Sequence, residues 1–167
     1  QDGSIIGYGD QYAFETLHGS TVTLEAGNIN TISGLVYAGD ADTLVEIKGL
    51  EEAMADNYVF SSAVVVGAGD LDDSDDEVMK NKNVVSALYA EEGAVIRVAG
   101  ENNFIQSYAD NKDETTLERT VWAYDRADIT IDGTTTISTD RYETSPNSLD
   151  IAIAAGTAVK LDSTQVN

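Results

Sequence analysis

Ser86-Ala-Leu88-Tyr-Ala90-Glu-Glu-Gly93-Ala-Val-Ile96-Arg97-Val98-Ala-Gly100 is the stretch whose reading decides the fold. Two runs in it, Leu88-Tyr-Ala90 and Ile96-Arg-Val98, place apolar residues at alternate positions, and a polar turn joins them. A period of two sends successive side chains to opposite faces of a strand. Ile96 and Val98 therefore face a core, Arg97 faces water, and Gly100 supplies the corner. The second run returns as Val22-Thr-Leu24 closed by Gly27, Val45-Glu-Ile47 by Gly49, Ile129-Thr-Ile131 by Gly133 and Val159-Lys-Leu161 by Ser163. The first returns as Phe14-Glu-Thr16, Val36-Tyr-Ala38, Val121-Trp-Ala123 and Ile151-Ala-Ile153.

A strand–turn–strand unit recurring every few tens of residues indicates a stacked repeat fold. The first apolar residues of the five phrases lie 23, 51, 33 and 30 residues apart. The interval of 51 has room for a further coil, with Ser62-Ala-Val64-Val-Val66-Gly67 its best candidate. The rung is then about 27 residues, near that of a three-sided parallel solenoid. The expected fold is all-β, a parallel β-helix of five or six coils spanning 1–167 as a single segment. An antiparallel sandwich would instead carry hairpin turns such as Asn-Gly at short intervals, and Asn-Gly is absent. Residues 49–57 hold good helix formers and are expected to make one or two helical turns. Residues 70–83 read as an acidic insertion loop, with lesser polar excursions at 110–118 and 139–148.

Thirty acidic against nine basic residues give a formal charge of −21. Such a surface repels phosphate backbones and anionic membranes, which excludes nucleic acid as a partner. No apolar run approaches the ~20 residues of a bilayer span, so this segment is not expected to insert in a membrane. The absence of cysteine removes disulfides and thiolate metal sites. A chain opening on Gln1 reads as a processed product or a segment of something longer.

The stretch quoted above, and Ser148-Leu-Asp-Ile-Ala-Ile-Ala-Ala-Gly156-Thr-Ala-Val-Lys-Leu161, resemble the rungs of bacterial autotransporter (type V secreted) passenger domains. The resemblance covers most of residues 13–162. It implies a right-handed parallel β-helix, export to the surface of a Gram-negative cell, and a role in adhesion or aggregation. The expected function is that of a non-enzymatic extracellular adhesin, stalk or fibre element. Its partners would be a host or bacterial surface protein or glycan, or a second copy stacked end to end. The alternative is a carbohydrate-active enzyme, a polysaccharide lyase or glycoside hydrolase, on the same fold.

Two groups of residues are candidate sites. Asp70, Asp72 and Asp76 lie in the acidic loop, and carboxylates so clustered suit calcium, although the loop lacks the EF-hand frame of Gly and Glu. A solvated loop that deters edge-to-edge association is the other reading. Tyr37, Tyr89 and Trp122 hold the middle position of three equivalent strands, so stacking in register would form an outward aromatic stripe for a partner protein or a sugar face. Cover by the insertions would instead bury them. The single histidine, His18, sits at a turn, Gly-x-Ser-x-Gly is absent, and no catalytic residue is assigned.

Overall fold

The computed structural model describes residues 4–50, 55–65, 83–109, 116–141, 151–155, 158–161 and 164–166. These residues contain no helix. The strands are β1 (Ser4–Thr16), β2 (Thr21–Ala26), β3 (Ile29–Ala38), β4 (Leu44–Gly49), β5 (Asp56–Ser61), β6 (Val64–Val65) and β7 (Asn83–Val85). They continue as β8 (Leu88–Ala90), β9 (Val95–Ala109), β10 (Thr116–Ala123), β11 (Asp128–Arg141), β12 (Ile151–Ala155), β13 (Ala158–Leu161) and β14 (Thr164–Val166). All belong to one 14-stranded sheet, parallel except where β6 meets β7. The sheet is not closed, and its form is compatible with the expected solenoid.

Pairing runs in three in-register ladders. The first joins β2, β4, the start of β9, the start of β11 and β13. It aligns the five phrases residue for residue: Val22, Val45, Ile96, Ile129 and Val159 form one column. The second joins the start of β1 and of β3, then β5, the later parts of β9 and β11, and β14. The third joins the ends of β1 and β3, then β8, β10 and β12. The chain visits third, first and second ladder in turn, then repeats. Inward columns such as Ile47, Val98 and Ile131, or Ile32, Val59, Ile105 and Ile137, are fully buried in one core. Each such side chain contributes about 1.5–3 kcal/mol by leaving water.

Passage from third to first ladder uses tight turns closed by Ser20 N–H to Leu17 O, Ala94 N–H to Glu91 O and Ala127 N–H to Tyr124 O. Their central residues, His18-Gly19, Glu92-Gly93 and Asp125-Arg126, all have positive φ. Passage from first to second ladder is tighter. A Cβ on Gly100 would lie 2.5 Å from Ala55 O and 2.4 Å from Asn57 Nδ2, and Gly133 has φ +107°. Apart from residues 50–55, between first and second ladder, the long intervals between strands fall at the remaining corner, between second and third ladder: residues 62–87, 110–115 and 142–150. In β3 that same corner is crossed through Gly34 alone, at φ +124°.

Three expectations are corrected. The interval of 51 residues hides no coil, because β4 pairs directly with β9 (Leu44 with Val95), and Val64-Val65 pairs antiparallel with Val84-Val85 as the stem of the excursion. An apolar pair at each end of an insertion closes on itself when the neighbouring rungs already pair with each other. The expected helical turns over 49–57 give way to strand at both ends, Gly49 closing β4 and Asp56 opening β5, while 51–54 lie outside the described residues. At Gly49, Asp56 and Asn57 strand pairing overrides helix propensity. The last upstream rung is Ile153-Ala-Ala155, aligned with Val121–Ala123, and Ile151 pairs with Arg119.

A buried amide spine runs through the second ladder. Asn30, Asn57 and Asn103 occupy one inward column, each fully buried. Asn30 Nδ2 donates to Asn57 Oδ1 at 2.8 Å, Asn57 Nδ2 to Asn103 Oδ1 at 2.8 Å, and Asn103 Nδ2 to Thr135 Oγ1 at 3.1 Å. Each amide also donates to the corner of the next circuit, at Lys48 O, Ala99 O and Asp132 O. At the start of the spine Asn30 Oδ1 is buried without a partner, and the aligned residue one strand earlier is Ile5.

Removing one amide strands several partners at once, each at about 1–3 kcal/mol. Asn57→Leu is expected to lower stability by roughly 2–5 kcal/mol in urea unfolding, and Gly100→Ala by about 1–3 kcal/mol through overpacking at the same corner. Wild-type midpoints for both variants would show that the spine carries no weight.

Candidate functional site

Asp70, Asp72 and Asp76 lie outside the described residues. Among the described residues no cluster of three or more His, Cys, Asp or Glu is arranged to hold a metal ion. His18 is at an exposed turn, its Nδ1 2.9 Å from Asp40 Oδ2.

The structure brings Tyr37, Tyr89 and Trp122 together. They are register partners in the third ladder, with ring centroids 5.3 Å apart for Tyr37–Tyr89 and 4.5 Å for Tyr89–Trp122. Tyr12 packs against Tyr37 and Tyr124 against Trp122, and the Arg119 guanidinium lies 5.7 Å from the Trp122 ring centre. Tyr89 and Trp122 are only 2% and 4% exposed. They form a second apolar cluster with Leu35, Ala63 and Val84, the last two contributed by the excursion over 62–87. Tyr37 stays partly exposed.

Glu91, in the turn after β8, fastens this column. Tyr37 Oη donates to its Oε1 and Tyr89 Oη to its Oε2. Burial first, then the bond to Glu91 and its charge, push both phenols well above the ordinary tyrosine value. Tyr12 is raised too, by burial and then by the charges of Glu15 and Glu91.

The second ladder carries a different outer face. One outward column reads Thr31, Tyr58, Phe104 and Thr136, and the next reads Ser33, Phe60, Gln106 and Ser138. Neither column holds a charge. Tyr58 and Phe104 stack across adjacent strands at 4.9 Å and 10°, and Phe60 lies 6.2 Å from Tyr58 on the same strand. Phe60 is 39% and Phe104 36% exposed. Beside Phe60 a shallow groove of about 260 Å³ is lined by Ser33, Ser61, Ser62, Gln106 and Tyr108.

The first ladder contrasts with it. Its outward column holds Thr23, Glu46, Arg97, Thr130 and Lys160. Thr23 Oγ1 donates to Glu46, and Arg97 lies 3.6 Å from the other Glu46 oxygen. Such exposed pairs contribute little to stability.

Sequence reading missed Tyr58, Phe60 and Phe104. The signal was a second phrase, Asn30-Thr-Ile32, Asn57-Tyr-Val59 and Asn103-Phe-Ile105, whose middle residues face outward. No protein-family model, curated protein or solved structure matches the chain.

The raised phenol pKa values set an alkaline limit. In the unfolded chain tyrosine ionises near 10; in the fold Tyr89 keeps its proton to higher pH. The contribution is therefore complete below about pH 10 and is lost as pH rises further, by roughly 1.4 kcal/mol per pH unit for one such tyrosine. Urea midpoints are expected to fall between about pH 10 and 11, and to fall less steeply in Tyr89→Phe. Identical slopes in the two proteins would show that Tyr89 does not carry this dependence.

Proposed function

We propose that this chain is a segment of a right-handed parallel β-helix of five coils, exported to the surface of a Gram-negative cell. There it acts as a non-enzymatic adhesin, stalk or fibre element. The observation that carries this reading is the division of labour between faces. The three ladders repeat their inward residues circuit after circuit, while the outward residues change from rung to rung. Strands paired from rung to rung by backbone, and in their middle rungs also by the amide spine and aromatic stack, suit a rigid spacer, because load passes through many parallel bonds. The handedness and the export route of this reading rest on the resemblance of the rung phrases to those of autotransporter passengers. A formal charge of −21 favours solubility and keeps like columns apart.

Surface exposure is the decisive measurement. Antibodies raised against this chain are expected to label intact cells of the encoding organism, and external protease to remove the label. Labelling that requires permeabilised cells would overturn the reading. Release of reducing sugar or unsaturated uronate from polysaccharides by the purified chain would overturn its non-enzymatic part.

A further inference from the structure

We infer that the outer face of the second ladder, centred on Tyr58, Phe60 and Phe104, binds a neutral glycan by stacking sugar rings on the aromatics. The inference rests on the surface-element reading above and gives that surface a ligand class.

The geometry of the rings comes first. Tyr58 and Phe104 stack nearly parallel, so each spends one face on the other. Their next neighbours in the column are Thr31 and Thr136, which have no ring to continue the stack. The stack is therefore two rings long and flanked in its column by small hydroxyl residues, with Phe104 36% exposed. Phe60 adds a third ring, 39% exposed, at the edge of the groove. Aromatic rings left this open on a soluble surface mark a binding surface more often than chance exposure.

The polar surroundings select among ligands. Ser33, Ser62, Gln106 and Tyr108 bring hydroxyl, amide and phenol groups to the groove beside Phe60. A ligand with apolar C–H faces and a rim of hydroxyls matches that pairing of ring and neutral hydrogen-bonding groups. An apolar peptide would use the rings and leave the polar rim unmatched. A groove of about 260 Å³ is small for a drug-sized ligand and suits one sugar unit of a longer chain crossing the face.

Charge then decides which sugars. The groove lining contains no Asp, Glu, Lys or Arg, on a chain with 30 acidic and nine basic residues. Among the described residues lining the groove there is no cation to recognise a carboxylate or sulfate, and the chain's net negative charge repels both. The ligand is therefore an uncharged hexose polymer. The buried third-ladder column, Tyr89 and Trp122 at 2% and 4% exposed, is not available for the same role.

The test is titration calorimetry of the full chain against gluco-, manno- and galacto-oligosaccharides of several units, with oligogalacturonate as the anionic probe. At least one neutral series is expected to bind. Phe104→Ser and Phe60→Ser should each weaken it tenfold or more, while Arg97→Ser on the first ladder leaves it unchanged. Phe104→Trp keeps the platform, and its emission should shift on addition of the bound oligosaccharide. Three results would overturn the inference: no neutral series binding, affinity indifferent to both serine variants, or oligogalacturonate binding as tightly as the neutral sugars. If the serine variants do not fold, the Phe104→Trp emission decides, and an unchanged spectrum counts against the inference. A chain that labels on intact cells yet binds none of these sugars loses the glycan alone. A chain found only inside cells loses the surface reading whatever the titration gives.

Discussion

The bond from each spine amide to the corner of the next circuit is the constraint on which the other features depend. An asparagine amide has two donors and one carbonyl acceptor. Here one donor continues the column and the other closes the turn above, as Asn57 does with Asn103 and Ala99. That arrangement works only if successive rungs sit in register, because a slip of one residue would turn the whole inward set outward. It also needs a corner with almost no side-chain bulk, which is why Gly100 and Gly133 stand where Asn57 and Asn103 approach. The amides sit in a core that offers no water, so an unmatched amide would be costly and a matched column is highly specific. The apolar columns supply most of the burial energy, but leucine or isoleucine alone would tolerate several registers.

Registry imposes a second problem, because it brings like positions close together in every outward column. Two carboxylates at 4 Å repel by about 1 kcal/mol in water and more near a protein surface. A chain with 30 acidic residues must avoid such stacks. In the first ladder Glu46 lies between Thr23 and Arg97, which hydrogen-bonds and pairs it. In the second, Asp56 is next to Asn102, whose amide donates to it at 2.9 Å. Glu91 escapes the columns by occupying a turn, where two phenols meet its oxygens. Variation of the outward residues thus has a physical cause apart from function, and unbroken neutrality over two adjacent columns is the unusual case.

The first ladder was readable in the sequence because everything that defines it is local: two apolar residues, one between them, one glycine after. The upstream strands were readable for the same reason, down to the alignment of Tyr37, Tyr89 and Trp122. The second ladder was not. Its defining residue is a buried asparagine, a type that on its own signals a turn, and its distance from the preceding phrase varies with the corner, from Val22 to Asn30 in one circuit and from Val45 to Asn57 in the next. Val64-Val65 misled for the opposite reason, an apolar run whose partner lies across an excursion of the chain. The exposure of an aromatic is less local still. The same outward alternation applies to Tyr89 and to Phe104, and the packing of Ala63 and Val84 on the former separates the covered ring from the open one.

That cover comes from an excursion between second and third ladder, which places Ala63 and Val84 against the third-ladder rings. Rings and cover together make a second core outside the first, in which Tyr89 and Trp122 are buried and Tyr37 stays partly exposed. The corner into the first ladder is held by tight turns, and the corner into the second by glycines under the amide spine. The second of these corners takes in residues 50–55 between β4 and β5 and still brings Asn57 into register with Asn103. The middle of the second ladder's outer face carries rings and no charge, with Asp56 at its flank. It can vary its outward residues without touching the spine beneath it, since Tyr58 and Phe104 alternate with Asn57 and Asn103 on the same strands and point the other way.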